Sequence, residues 1–157
     1  MEEGMGTDAE EQVVVFELGR EAYGVDIAKV HEIIRMQTIT AVPRAPQFVE
    51  GVINLRGKVI PVVDLRRRLG QPAAETTRAT RIVVVDIGVH TVGMIVDAVS
   101  EVLRVPAGAV EPPSSLVTTV DSEYLRGIAK LDDRLIILLD LEKVLTRNEQ
   151  GAIGRVA

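Results

Sequence analysis

Cysteine is absent from the 157 residues, which removes disulfide frameworks and thiolate metal sites. Tryptophan is absent too, and aromatic residues make up only 3%, too few for the stacking platforms of single-strand nucleic-acid binders. Cations are in the minority: 18 Lys and Arg face 23 Asp and Glu, for a formal net charge of −5 and an isoelectric point near 5.1. Binding to a phosphate backbone needs clustered cations that release counterions, so this balance argues against a nucleic-acid partner. No apolar run approaches the ~20 residues of a membrane span. The opening Met1-Glu2-Glu3-Gly4-Met5-Gly6 lacks the charged-then-apolar layout of a signal peptide. A soluble, cytoplasmic chain is the expectation.

Signs of catalysis are missing as well. His31 and His90 stand alone, without the spacing of a metal-binding or catalytic motif. No glycine-rich phosphate loop and no nucleophile elbow is present. The expectation is a protein without catalytic residues, metal or cofactor, acting through surface contacts.

What is there is a strongly apolar sequence, 46% hydrophobic with a mean hydropathy of +0.20, long enough for one domain or two small lobes. Its most distinctive stretch is Gly51-Val52-Ile53-Asn54-Leu55-Arg56-Gly57-Lys58-Val59-Ile60-Pro61-Val62-Val63-Asp64-Leu65. Two β-branched runs around Arg56-Gly57-Lys58 predict a hairpin. Apolar residues on both faces of the second run, Val59 and Val63 on one and Ile60 and Val62 on the other, predict a strand covered on both sides. A guanidinium at the tip of so apolar an element calls for an explanation.

The chain reads in order as follows. Residues 1–12 are polar and acidic, a flexible tail. Residues 13–18 and 22–27 are strands around a turn at Gly19. Residues 28–35 carry both helical spacing (Val30, Ile33, Ile34) and β-branched content, which leaves helix and strand open. Residues 37–47, with Pro43 and Pro46, form a loop. After the hairpin, Asp64 caps a short helix over 65–69 closed by Gly70. Residues 71–80 are a polar linker, and residues 147–157 a C-terminal tail.

Beyond the linker the pattern starts again. Residues 14–36 lie on 83–105 at a constant offset of 69, and residues 48–69 on 124–145 at an offset of 76. Matches include Gly19/Gly88, Gly24/Gly93, Val30/Val99, Glu32/Glu101, Arg35/Arg104, Gly51/Gly127, Leu55/Leu131 and Asp64/Asp140. Such a repeat means two copies of one supersecondary unit. The expected fold is all-β with short helices: two similar five-stranded barrels packed side by side, one over about 13–70 and one over about 81–146.

The two copies act as a filter. Positions they share are explained by the fold, so Asp64 and Asp140 are helix caps rather than a carboxylate pair. Positions that differ are better functional candidates: Arg56-Gly57 against Asp132-Asp133, Pro61 against Ile137, and seven extra residues in the second copy, the difference between the two offsets. Pro61 argues for an edge or a bulge. The insertion lies within residues 106–118, where Val110, Leu116 and Val117 fit either core cover or docking. Arg66-Arg67-Arg68 is read as a solvated helix face.

The run Phe48-Val49-Glu50-Gly51-Val52-Ile53-Asn54-Leu55-Arg56-Gly57-Lys58-Val59-Ile60-Pro61-Val62-Val63-Asp64-Leu65 resembles the signature of the CheW family of bacterial chemotaxis coupling proteins. Tyr23-Gly24-Val25-Asp26-Ile27-Ala28-Lys29-Val30-His31-Glu32-Ile33 and Gly93-Met94-Ile95-Val96-Asp97-Ala98-Val99-Ser100-Glu101-Val102-Leu103 are similar to two further hallmarks. The resemblance spans about residues 12–145. It implies two SH3-like barrels and a non-enzymatic adaptor tying the CheA histidine kinase to transmembrane chemoreceptors. It implies receptor contact through Val30, Glu32, Gly51, Arg56 and Val102, with the receptor's cytoplasmic hairpin tip in the groove between the barrels. Contacts to the kinase regulatory domain are implied at the loops holding Ile39, Val42 and Pro43, and Val110, Leu116 and Val117. Glu111 stands where an enteric-type member has a basic residue and Leu116 where it has an aromatic one, which leaves the polarity of the second contact open. Glu32 and Arg56 are expected to meet near the groove. Localisation is implied in the cytoplasm, at receptor clusters on the inner face of the membrane, with the membrane reached only through receptors. The alternatives are a small nucleic-acid-binding barrel and an enzyme with an unrecognised site.

Overall fold

The computed structural model describes residues 10–72, 74–112 and 122–154. Strands β1 (Glu10–Leu18) and β2 (Glu21–Asp26) form the first hairpin, with Gly19 at φ +62° making the turn. The Asp26 carboxylate accepts from the Ala28 amide at 2.9 Å and starts a 3-10 turn over Ile27–Lys29. Strand β3 (Val30–Arg35) follows, so the ambiguous segment resolves as one turn and a strand. Its β-branched residues find a pairing partner, and tertiary pairing overrides the helical spacing. Strands β4 (Val49–Leu55) and β5 (Lys58–Asp64) form the central hairpin, and α1 (Leu65–Arg68) closes the first copy. The second copy supplies β6 (Arg81–Ile87), β7 (His90–Val96), β8 (Ala98–Pro106), the two-residue β9 (Val110–Glu111), β10 (Leu125–Leu131), β11 (Arg134–Leu139), α2 (Leu141–Val144) and α3 (Arg147–Ile153).

The strands make two sheets, but the copies do not map one to each. The five-stranded sheet runs β3-β6-β7-β5-β4, and the six-stranded sheet runs β9-β10-β11-β2-β1-β8. Each copy lends its first two strands to the other's remaining strands, three from the first copy and four from the second. The spans of about 13–70 and 81–146 are therefore sequence repeats rather than barrels. Exchange is anchored by two equivalent parallel ladders, Ile136–Leu138 on Ala22–Gly24 and Val62–Asp64 on Gly93–Ile95. Gly24 and Gly93 sit at these crossings for lack of space: a Cβ on Gly24 would lie 3.2 Å from Ile136 and Leu138, and one on Gly93 2.8 Å from Ile82.

Alternation along the strands sorts side chains into three layers. Val13 and Val15 fill the six-stranded sheet's interior with Val105, Ile136 and Leu138. Ile82 and Val84 fill the other with Ile53, Ile60 and Val62. The intervening residues, Val14, Phe16, Val83 and Val85, join Tyr23, Val63, Leu65, Met94, Leu141 and others in one core shared by both sheets. Each fully buried aliphatic side chain contributes about 1.5–3 kcal/mol, so the common layer holds the two sheets as one body.

The structure corrects several readings of the sequence. Glu10, Glu11 and Gln12 belong to β1, paired with Pro106, Val105 and Arg104, rather than to a tail. Residues read as a C-terminal tail include α3, whose Thr146–Glu149 capping box and buried Ile153 fix it to the core. Val59 is 48% exposed, because β5 extends past its parallel partner before Val62. Pro61 lies in that unpaired approach and opposite Val52, a local edge where its missing N–H costs no ladder bond. Asp64 and Asp140 cap α1 and α2 as expected, accepting from Arg66 and Glu142 amides at 3.0 Å.

Candidate protein-docking site

The central hairpin turns on Arg56 at φ +52° and Gly57 at φ +86°, the mirror-image two-residue turn that matches strand twist. The Gly57 amide donates to Asn54 Oδ1 at 2.7 Å. An arginine in the left-handed region costs about 1 kcal/mol, so its presence needs a return. That return is an ion pair: Arg56 donates to Glu32 on β3, and this hydrogen bond raises the Arg56 pKa. Because β3 and β4 are the two ends of the five-stranded sheet, the contact clips the hairpin tip to the far edge strand. Arg56 keeps 71% of its side chain exposed, available to a partner. The other sheet repeats the device with different residues, Arg134 on Glu101 at 2.9 Å, while Asp132 holds the tip at φ +54°.

Gly51, at φ +154°, faces the backbone of Thr40, whose carbonyl a Cβ would strike. Thr40 and Val52 exchange amide bonds of 2.9 and 2.8 Å there, so Gly51 lets residues 39–40 lie along β4. The second copy matches this with β9 on β10 over Gly127. Val30 packs, half-buried, on the shared core, whereas Val102 is 49% exposed. The structure thus brings Glu32 and Arg56 into contact and gives Gly51 and Val30 packing roles. Ile33, Val59 and Leu135 are further exposed apolar residues that the sequence reading did not name as candidate contacts. The repeat held the signal, since Ile33 is the counterpart of Val102, and Val59 that of Leu135.

The second set of expected contacts is divided. Ile39 and Val110 are half-buried, each covering the interior of one sheet, which makes Val110 core cover. Val42 is half-buried and Pro43 exposed, next to Arg44 at φ +66°. Leu116 and Val117 lie outside the described residues.

Of the arginine triplet only Arg67 is a solvated position, 55% exposed; its neighbours are largely withdrawn from solvent. Arg66, 15% exposed, grips Asp97 through Nε at 2.9 Å and Nη2 at 2.6 Å, and Asp97 also accepts from the Gly19 amide at 2.7 Å. The Arg66 hydrogen bond, opposed by burial, holds the Asp97 carboxyl below its ordinary pKa. Arg67 pairs with Glu50, and Arg68 reaches Glu149 at 2.7 Å, donates to the Val144 carbonyl at 2.8 Å and lies over the Tyr124 ring. Helix α1 therefore rivets the two copies together. The Tyr23 hydroxyl, pushed far up by burial, bonds to Glu21 and Gln71 and serves the core. His31 meets Asp86 at 2.7 Å. Among the described residues, no group of three or more His, Asp or Glu could hold a metal ion, and no helix is long and apolar enough to cross a membrane.

The family model for the CheW-like domain matches residues 12–149. A chemotaxis protein CheW from Klebsiella aerogenes is 37% identical over 152 residues, 97% of this chain and 92% of that protein. Protein FrzA from Myxococcus xanthus is 32% identical over 148 residues, covering 93% and 92%. The crystal structure of scaffolding protein TtCheW from Thermoanaerobacter tengcongensis superposes with a TM-score of 0.80 at 44% identity, covering 88% of this chain and 90% of that one. A two-sheet β platform matched over nearly its full length by the family model and by these proteins places the chain in the CheW family of chemotaxis scaffold proteins.

Proposed function

We propose that this protein is a passive adaptor coupling the CheA histidine kinase to chemoreceptors. The observation that carries the reading is the Arg56–Glu32 contact on the family's most specific motif: a costly arginine turn, clipped to an edge strand and left open to solvent. The receptor's cytoplasmic hairpin tip docks in the groove between the sheets, a helix-in-groove mode, with Val30, Glu32, Gly51, Arg56 and Val102 forming or shaping its seat. The kinase regulatory domain docks on the loops of residues 39–46 and 110–117. The protein works in the cytoplasm at receptor clusters and meets the membrane only through receptors. An exposed ion pair contributes only about 0–1 kcal/mol, so Arg56 and Glu32 set shape more than strength.

Titration with the isolated kinase regulatory domain tests this reading. Saturable binding at micromolar concentration is expected; no retention at tens of micromolar contradicts it.

A further inference from the structure

One end of the five-stranded sheet carries a feature that neither the fold nor the adaptor reading requires. Arg35, ending β3, lies directly opposite Arg81, opening β6, and like charges in that register are destabilising. Arg78 joins them from the adjoining linker turn. The three arginines line an open cleft of about 840 Å³ with Thr38, Thr77 and Thr80, and no carboxylate lines it. Thr77 and Thr80 tie the turn together through the Thr77 amide on Thr80 Oγ1 at 2.9 Å. Arg81 pins it by donating to the Arg78 and Thr80 carbonyls at 2.7 and 2.9 Å. None of the three makes an ion pair among the described residues, whereas Arg56, Arg66, Arg67, Arg68, Arg126 and Arg134 all do.

The repeat supplies an internal control. The counterpart of the Arg35–Arg81 pair in the other sheet is Arg104 opposite Gln12. Beside it Glu11 is bound by both Nη atoms of Arg126 at 2.6 and 2.8 Å. The same architecture therefore stands with that end neutralised, and the accumulation of guanidinium on an otherwise acidic chain is specific to one end.

The geometry points to a docking site for an acidic protein segment, read by the arginine forks of Arg35 and Arg78 and by the exposed Thr38 and Thr77 hydroxyls. Planar guanidinium donors fit carboxylates two bonds at a time. Each such pair is exposed and weak alone, and the cations come from three separate elements. Useful affinity follows when one chain presents several carboxylates together, which a free ion does not do. This site lies apart from the Arg56–Glu32 seat and does not rest on the receptor and kinase reading.

A hexaglutamate peptide titrated into the full chain at low salt, followed by amide NMR, tests it. Shifts are expected at Thr38, Thr77 and Thr80, weakening as salt rises. Arg35→Gln and Arg78→Gln should each lower affinity by up to about fivefold and raise or leave unchanged the melting temperature, since both side chains are exposed. Arg104→Gln should leave binding unchanged. Absence of binding, an equal loss in Arg104→Gln, or equal displacement of the peptide by inorganic phosphate at matched concentration overturns the proposal. Loss of kinase binding with peptide binding intact strikes the adaptor reading alone.

Discussion

The clearest residue-scale consequence concerns Asp97. Its folded-state pKa is depressed by Arg66, while in the unfolded chain it returns to about 3.9. The pair therefore stabilises fully above the unfolded value, and the contribution disappears as pH falls through the lower folded value. Asp97→Asn is expected to destabilise the protein at pH 7 by about 2 kcal/mol. Denaturant titrations should show the gap between variant and parent closing as pH falls below the ordinary carboxylate range; a gap independent of pH contradicts the assignment. Arg56→Glu places a second acid against Glu32. We expect the fold to survive, with circular dichroism unchanged, and receptor binding to weaken. An unfolded product makes Arg56 structural instead. At this scale the sequence disclosed local bonds, such as the Asp64 and Asp140 caps. It concealed the partners of Arg66 and Arg68, because Asp97 and Glu149 lie 31 and 81 residues away and nothing in a three-arginine run announces them.

At the scale of elements, period-two burial and β-branched content made most strands legible before the structure, and the hairpin around Gly57 with them. Elements that owe their form to distant contacts were not legible. Helix α3 is one, a seven-residue segment of modest propensity held by Ile153 and the Arg68–Glu149 bond. Ile153→Ala is expected to cost about 3 kcal/mol, read as a lower denaturation midpoint. The two hairpin glycines separate strain from collision. Gly57→Ala meets nothing within 4 Å and bears only the left-handed penalty, about 1 kcal/mol. Gly51→Ala meets the Thr40 backbone and should cost about 3 kcal/mol or more, with the 39–40 segment lifted off β4. Equal costs contradict the close approach described here.

The duplication was visible in the sequence, but the reciprocal exchange of strands was not, since identical repeats serve a self-contained and an exchanged arrangement equally well. Exchange has a consequence for the whole molecule. Residues 1–76 and 77–157, made separately, each lack strands that complete a sheet and should remain unfolded. Mixed together they should regain native circular dichroism; two independently folded halves contradict the topology. A platform welded through one shared core suits an adaptor that holds partners at fixed positions. Such an adaptor must hold two different proteins on separate faces at once. The direct measurement is titration of a chemoreceptor cytoplasmic fragment into this protein, alone and saturated with the kinase regulatory domain. Simultaneous binding with receptor affinity unchanged within about twofold is the predicted result, a coupling of less than about 0.5 kcal/mol; displacement of either partner by the other contradicts it.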